Sequence, residues 1–237
     1  MINLDKSRLV GKGLHREVYR HPENNNLCIK VVMHGNADES RREKEYYRLL
    51  EKRRIVWDMI PRYHGDIETN LGPGSVFDLV LDYNGAVSKT LGYYLSSNER
   101  TREYYSCLSN ALDLLKHYLL QHRIITMTLK PKNIVCQRMA SGKFRLFVVD
   151  NIGNSDFIPI CNYSSYLAKK KILRKWQHFE HRMLDAYELN HALHKMLTTT
   201  HSHSKHHDGN YGLPWFITYI FTERLLLIDT SPFAAIV

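Results

Sequence analysis

Lys30 lies in the middle of Leu27–Met33 (LCIKVVM), a run dominated by β-branched and other apolar residues. A strand this apolar tolerates an ammonium group only where something neutralises it. Such a lysine is suited to phosphate oxygens and to a carboxylate on a neighbouring helix. Glu43 in the charged segment that follows is the natural partner, with Glu45 as the second choice. Gly11-Lys12-Gly13 lies between two short extended runs, and glycines permit a tight turn and let backbone N–H groups approach phosphate. Asn133 and Asp150 stand 17 residues apart and offer an amide oxygen and a carboxylate, hard donors of the kind Mg²⁺ takes. Each feature is common alone. The third glycine of G-x-G-x-x-G is replaced by Arg16, strand lysines snorkel, and Asn and Asp often cap turns. The weight rests on all four occurring in this order at these distances.

The elements that would position them change character along the chain. The first third reads as strands and turns, with Asp38–Arg53 as its one helix. Asp38 or Ser40 would cap that helix, and Tyr46, Tyr47, Leu49 and Leu50 would form its apolar stripe. Asn70–Gly74 reads as a hairpin turn before a strand over Ser75–Tyr83. Beyond it the pattern predicts helices over Lys89–Leu95, Arg102–His122 and Ser164–Met196. Between these, Ile124–Gln137 reads as strand–loop–strand and Phe144–Asp150 as a further strand. The expectation is an α+β chain of two lobes, residues 1–84 and 85–197, meeting near Tyr83–Val87. Residues 198–210 read as a His-rich linker, more simply a solvated segment than a metal site despite His201, His203, His206 and His207. Residues 211–237 read as an apolar extension with no assigned role.

Composition narrows the class. The chain has 237 residues, 43% hydrophobic and 24% charged, ordinary for a folded globular protein. Four scattered cysteines, with no C-x-x-C pair, read as reduced thiols in a cytoplasmic protein. The N-terminal MINLDKSRLVGKG has no apolar core of signal-peptide length, and no stretch is long enough for a membrane span. The formal charge of +9 suits anionic ligands, but the basic runs lack the interleaved aromatics of a nucleic-acid groove, so no specific nucleic acid is expected.

Several segments together resemble a known family. Leu129-Lys130-Pro131-Lys132-Asn133-Ile134-Val135 looks like the catalytic loop of protein kinases, H-R-D-L-K-P-x-N, and Asp150-Asn151-Ile152-Gly153 looks like a stretched D-F-G. More closely, GLHREVYRHPE (13–23), CIKVV (28–32), RREKEYY (41–47), IPRYHG (60–65), TMTLKPKNIVCQR (126–138) and DNIG (150–153) resemble the bacterial YrbL family, which is tied to the PhoP regulatory network. The resemblance covers roughly residues 3–195. It implies a protein-kinase-like two-lobe fold that binds ATP and Mg²⁺. Gly11 and Gly13 would cover the phosphates, and Lys30, oriented by Glu43, would hold them. Lys130 would reach the transferred phosphoryl group. Asn133 and Asp150 would hold Mg²⁺, and Leu81–Tyr83 would contact adenine through backbone groups.

The departures from that pattern matter as much. Thr126-Met127-Thr128 stands where kinases have His-Arg-Asp, so Thr128 replaces the proton-accepting aspartate. No A-P-E-like segment follows Gly153. The leading expectation is a pseudokinase-like, nucleotide-binding regulatory protein. A phosphotransferase acting on a sugar, lipid core or other small acceptor, with a base such as Asp156, is the second. A surface for nucleic acid or anionic membrane built on the Lys169–Lys175 helix is the third.

Overall fold

The computed structural model describes residues 1–13, 15–33, 37–156 and 160–204. Met1–Leu197 forms one compact unit and Thr198–Val237 a second. The first unit is α+β. It begins with a five-stranded antiparallel sheet made of β1 (Leu9–Lys12), β2 (Arg16–Arg20), β3 (Leu27–Val32), β4 (Tyr63–Thr69) and β5 (Gly72–Asp78), in the spatial order β1-β2-β3-β5-β4. The helix α1 (Ala37–Lys52) is inserted between β3 and β4. The chain continues through β6 (Lys89–Thr90), α2 (Leu91–Leu95), α3 (Asn98–Glu103) and α4 (Tyr105–Gln121). The hairpin β7 (Ile134–Arg138) and β8 (Phe144–Val148) follows, then α5 (Ser165–Ala186) and α6 (His191–Ser204).

β3 is central, and its alternation explains why it can be buried on both faces. Ile29 and Val31 point to one side, where they meet Leu4, Tyr19 and Val76. Cys28 points to the other, onto Tyr47, Leu50 and Phe77. That second cluster runs on without a break into Leu112, Leu115, Ile134 and Leu146, so one core joins the sheet to the helical part. α4 supplies Leu108, Ala111, Leu112, Leu115, Tyr118 and Leu119, the spacing of a single helical face. Gly74 on β5 lies opposite Val31, and a methyl there would come within 2.5 Å of Ile29, so close packing of the two central strands demands glycine.

Several boundaries differ from expectation for local reasons. Asp38 and Ser40 lie inside α1, which starts at Ala37. The span 102–122 is two helices, because Ser97 caps α3 at its start and Tyr104 leaves helical geometry between α3 and α4. The span 164–196 breaks at Tyr187–Asn190, where the Asn190 side chain accepts from the Leu193 N–H and starts α6. Lys89 and Thr90 pair with β7 before Thr90 caps α2. α6 continues through Ser204, into the segment read as a linker. His206, His207, residues 211–237 and the side chains of His201 and His203 lie outside the description. Among the described residues, no helix is long and apolar enough to cross a membrane.

Candidate functional site

Lys30 is a central-strand residue, paired across to Val18 and Ser75, and is 8% exposed. It shares the Cys28 face of the sheet, so its stem runs over Phe77 and the ammonium sits 4.2 Å from that ring. Its Nζ donates to the Val149 carbonyl at 2.5 Å, one residue before Asp150. The lysine therefore bridges the sheet to the strand end that carries the candidate acidic ligand. The edge-strand, snorkelling alternative does not describe it.

Glu43 faces the same small cavity as Lys30, Arg16 and Ser75. It is 2% exposed, whereas Glu45 lies on the outside of α1 against Arg41. The expected Lys30–Glu43 ion pair is not formed. Arg16 takes that carboxylate, its Nη1 donating to Glu43 Oε2 at 2.5 Å and to Asp150 Oδ1 at 3.2 Å. Glu43 Oε1 is buried with no hydrogen-bond partner, an uncommon and costly state for a carboxylate oxygen.

Arg16 comes from the β1–β2 hairpin, which is closed by the Gly13 N–H donating to the Arg16 carbonyl at 2.8 Å. A methyl on Gly11 would meet nothing, and on Gly13 only the Arg16 carbonyl at 3.4 Å. Packing within the chain therefore does not explain the glycine at 11. Lys12 between them is exposed and pairs with Glu17.

Asn133, just before β7, and Asp150, just past β8, are brought near each other by the backbone. The Val149 N–H donates to the Asn133 carbonyl at 2.9 Å, and Asn133 is buried. Asn151 then adopts φ 61°, turning the chain so that its carbonyl receives the Met127 N–H at 2.7 Å. That bond places Thr128, half-buried, and Lys130, exposed, beside the Asp150 turn. Lys175 of α5 steadies the same loop by donating to the Met127 carbonyl at 2.5 Å, and burial together with Lys171 and Arg174 holds its ammonium below the usual lysine range. Asp156, the alternative base, is paired with Lys171 at 2.6 Å. That lysine keeps its carboxyl below the usual range, the wrong direction for a base.

The oxygens of Asn133 and Asp150 are of the type Mg²⁺ prefers, but their arrangement does not fit the ion, because Arg16 holds Oδ1 of Asp150. Among the described residues, no three His, Cys, Asp or Glu side chains gather as a metal cluster.

The backbone groups of Leu81 and Tyr83, expected to meet adenine, have partners within the chain. The Leu81 carbonyl accepts from Gln137 Nε2 at 2.8 Å, and the Tyr83 N–H donates to the Arg138 carbonyl at 3.0 Å. The Tyr83 N–H is thus engaged by β7, and its ring is exposed. Between them Asp82 is buried and accepts from the Arg138 N–H and Nε and from the Ser88 hydroxyl. Burial pushes the Asp82 carboxyl up, but those three donors outweigh it and hold it below the usual range. Sequence reasoning missed both Arg16, visible only as a missing glycine, and the Asp82–Arg138 pair, which carries no local signal.

Comparison with known proteins places the chain. It is 41% identical over 182 residues to the protein described as "Uncharacterized protein YrbL" of Escherichia coli (strain K12), covering 76% of this chain and 86% of that one. The Shigella flexneri protein of the same description matches equally. Among solved structures, a kinase domain described as PF14_0431 aligns with a TM-score of 0.42 at 18% identity, over 64% of this chain and 52% of that one. The sequence pattern of one family spans residues 2–184. The chain belongs to that family, PhoP regulatory network protein YrbL.

Proposed function

We propose that the chain is a kinase-like nucleotide-binding protein, ATP being the nucleotide, that acts as a regulatory module rather than an efficient phosphotransferase. One observation carries the reading. A buried ammonium (Lys30) and a buried carboxylate with an idle oxygen (Glu43) line one small cavity, and the ammonium is tied to the Val149 carbonyl, next to Asp150. Buried charges left partly unsatisfied are an expense a fold rarely keeps without a ligand to meet them. The family's place in a regulatory network agrees with a binding role. Thr128 supports the weakness of catalysis, since a hydroxyl does not accept a proton near neutral pH and a missing base costs about 10²–10⁴-fold.

A second reading, phosphotransfer to a small anionic acceptor, is favoured by Lys130, exposed two residues from Thr128. Positioning and charge neutralisation alone can support slow transfer.

Calorimetric titration with ATP, on wild type and Lys30→Ala, tests the proposal. Binding in wild type that weakens by about tenfold or more in the variant is the expected result. No heat at saturating nucleotide would reject it.

A further inference from the structure

We infer that Arg16 is the resident cation of this site, holding between Glu43 and Asp150 the place a divalent ion would otherwise take. Both carboxylates converge on a single atom, Arg16 Nη1, at 2.5 and 3.2 Å. They come from parts of the chain 27 and 134 residues away from it. One guanidinium thus ties the glycine hairpin, α1 and the turn after β8 together. Arg16 itself is 14% exposed and Glu43 3%, so the pair is desolvated rather than a surface contact. Two carboxylates this close repel unless a cation stands between them. Asp150 and Glu43 supply hard oxygens, the Asn133 carbonyl is bonded to Val149 next to Asp150, and Glu43 Oε1 remains idle, which is a donor set for an ion that the arginine excludes.

The consequence for ligands follows from charge. A divalent ion and Arg16 compete for Asp150, so the wild-type site does not take up a free ion. A polyphosphate at the mouth of the cavity meets Lys30 and Arg16, which line it, and a guanidinium matches phosphate oxygens. Binding of a nucleoside polyphosphate here does not depend on Mg²⁺. This last step rests on the nucleotide reading above, whereas the exclusion of free ions does not.

Mn²⁺ binding, followed as loss of the free-ion signal in electron paramagnetic resonance, tests the first step on the full chain. Wild type is expected to bind no Mn²⁺ at submillimolar concentration. Arg16→Ala should gain a site at least about tenfold tighter, and adding Asp150→Asn should remove it. Arg16→Gln keeps a hydrogen-bond donor to Glu43 and much of the side-chain volume. It should gain the same site and serves if the alanine variant does not fold. Equal Mn²⁺ affinity in wild type and both variants would overturn the inference. ATP titration in chelator then tests the second step. Wild type should bind within about threefold of its affinity in Mg²⁺, and Arg16→Gln should lose about tenfold in chelator only. Strict dependence on Mg²⁺ in wild type overturns the second step. Absence of ATP binding in every buffer rejects the nucleotide reading, while the Mn²⁺ comparison still decides the role of Arg16.

Discussion

Two buried carboxylates, Asp82 and Glu43, are treated in opposite ways. Asp82, in the segment that follows β5, receives the Arg138 N–H and guanidinium and the Ser88 hydroxyl. Its neighbours Leu81 and Tyr83 are likewise engaged by Gln137 and Arg138. Glu43 takes a donor from Arg16 on one oxygen and keeps the other buried with none. The first arrangement is a finished joint, in which every strong group has its partner and the return is stability. The second is incomplete, and the shortfall sits where a ligand can supply what is missing. Burial of a charge does not by itself mark a functional site; the state of its hydrogen bonds separates the two cases.

The contrast is open to direct attack. Asp82→Ala should give the largest loss, about 3 kcal/mol of stability, because it strands the partners of a buried charge. Chemical denaturation measures it, and a loss under 1 kcal/mol would remove the distinction. Next, Lys30→Met should weaken ATP binding by about tenfold, about 1.4 kcal/mol, and shift the thermal midpoint by only a few degrees. A collapse of the fold in that variant would make this site as structural as the Asp82 joint. Acid titration sharpens the first half of the comparison. The Asp82 carboxyl is held below its ordinary value in the folded chain, so its contribution is full above about pH 5 and is lost as pH falls below about 4. The stability gap between wild type and Asp82→Asn should therefore be constant near neutrality and close in that acid window. A gap that widened on acidification would contradict the assignment. The smallest effect is expected at Lys12, paired with Glu17 but 70% exposed, where alanine should change stability by under about 0.5 kcal/mol. A larger change would mean that the hairpin depends on that surface pair.

The parts of this arrangement that were readable from sequence are those in which one residue contradicts its local pattern. Lys30 stands out because its strand is otherwise apolar, and Gly11 only as half of a Gly-x-Gly pair. The α+β order was readable for the same reason, since a period of two gives way to a period of 3.6 after Gly85. Arg16 and Arg138 conform to their surroundings as ordinary strand residues. Their partners, 27, 134 and 56 residues distant, are set by tertiary packing alone. The helix breaks at Tyr104 and Asn190 were hidden because the apolar stripe continues across them on both sides. At Asn190 a side-chain cap competes with the next turn, and at Tyr104 the backbone alone leaves helical geometry; periodicity registers neither.

The Tyr46 hydroxyl accepts from the Ile125 N–H at 2.8 Å and donates to the Arg123 carbonyl, and Arg53, one residue past the end of α1, donates to the His122 and Arg123 carbonyls. By sequence α1 belongs with the sheet, inserted between two of its strands. Mechanically it is bolted at two heights to the end of α4. A force that separated the sheet from the helical part would leave α1 behind with α4, stretching the chain on either side of it. Its amide protons should accordingly exchange with solvent in step with those of α4 and not with those of β1 and β2.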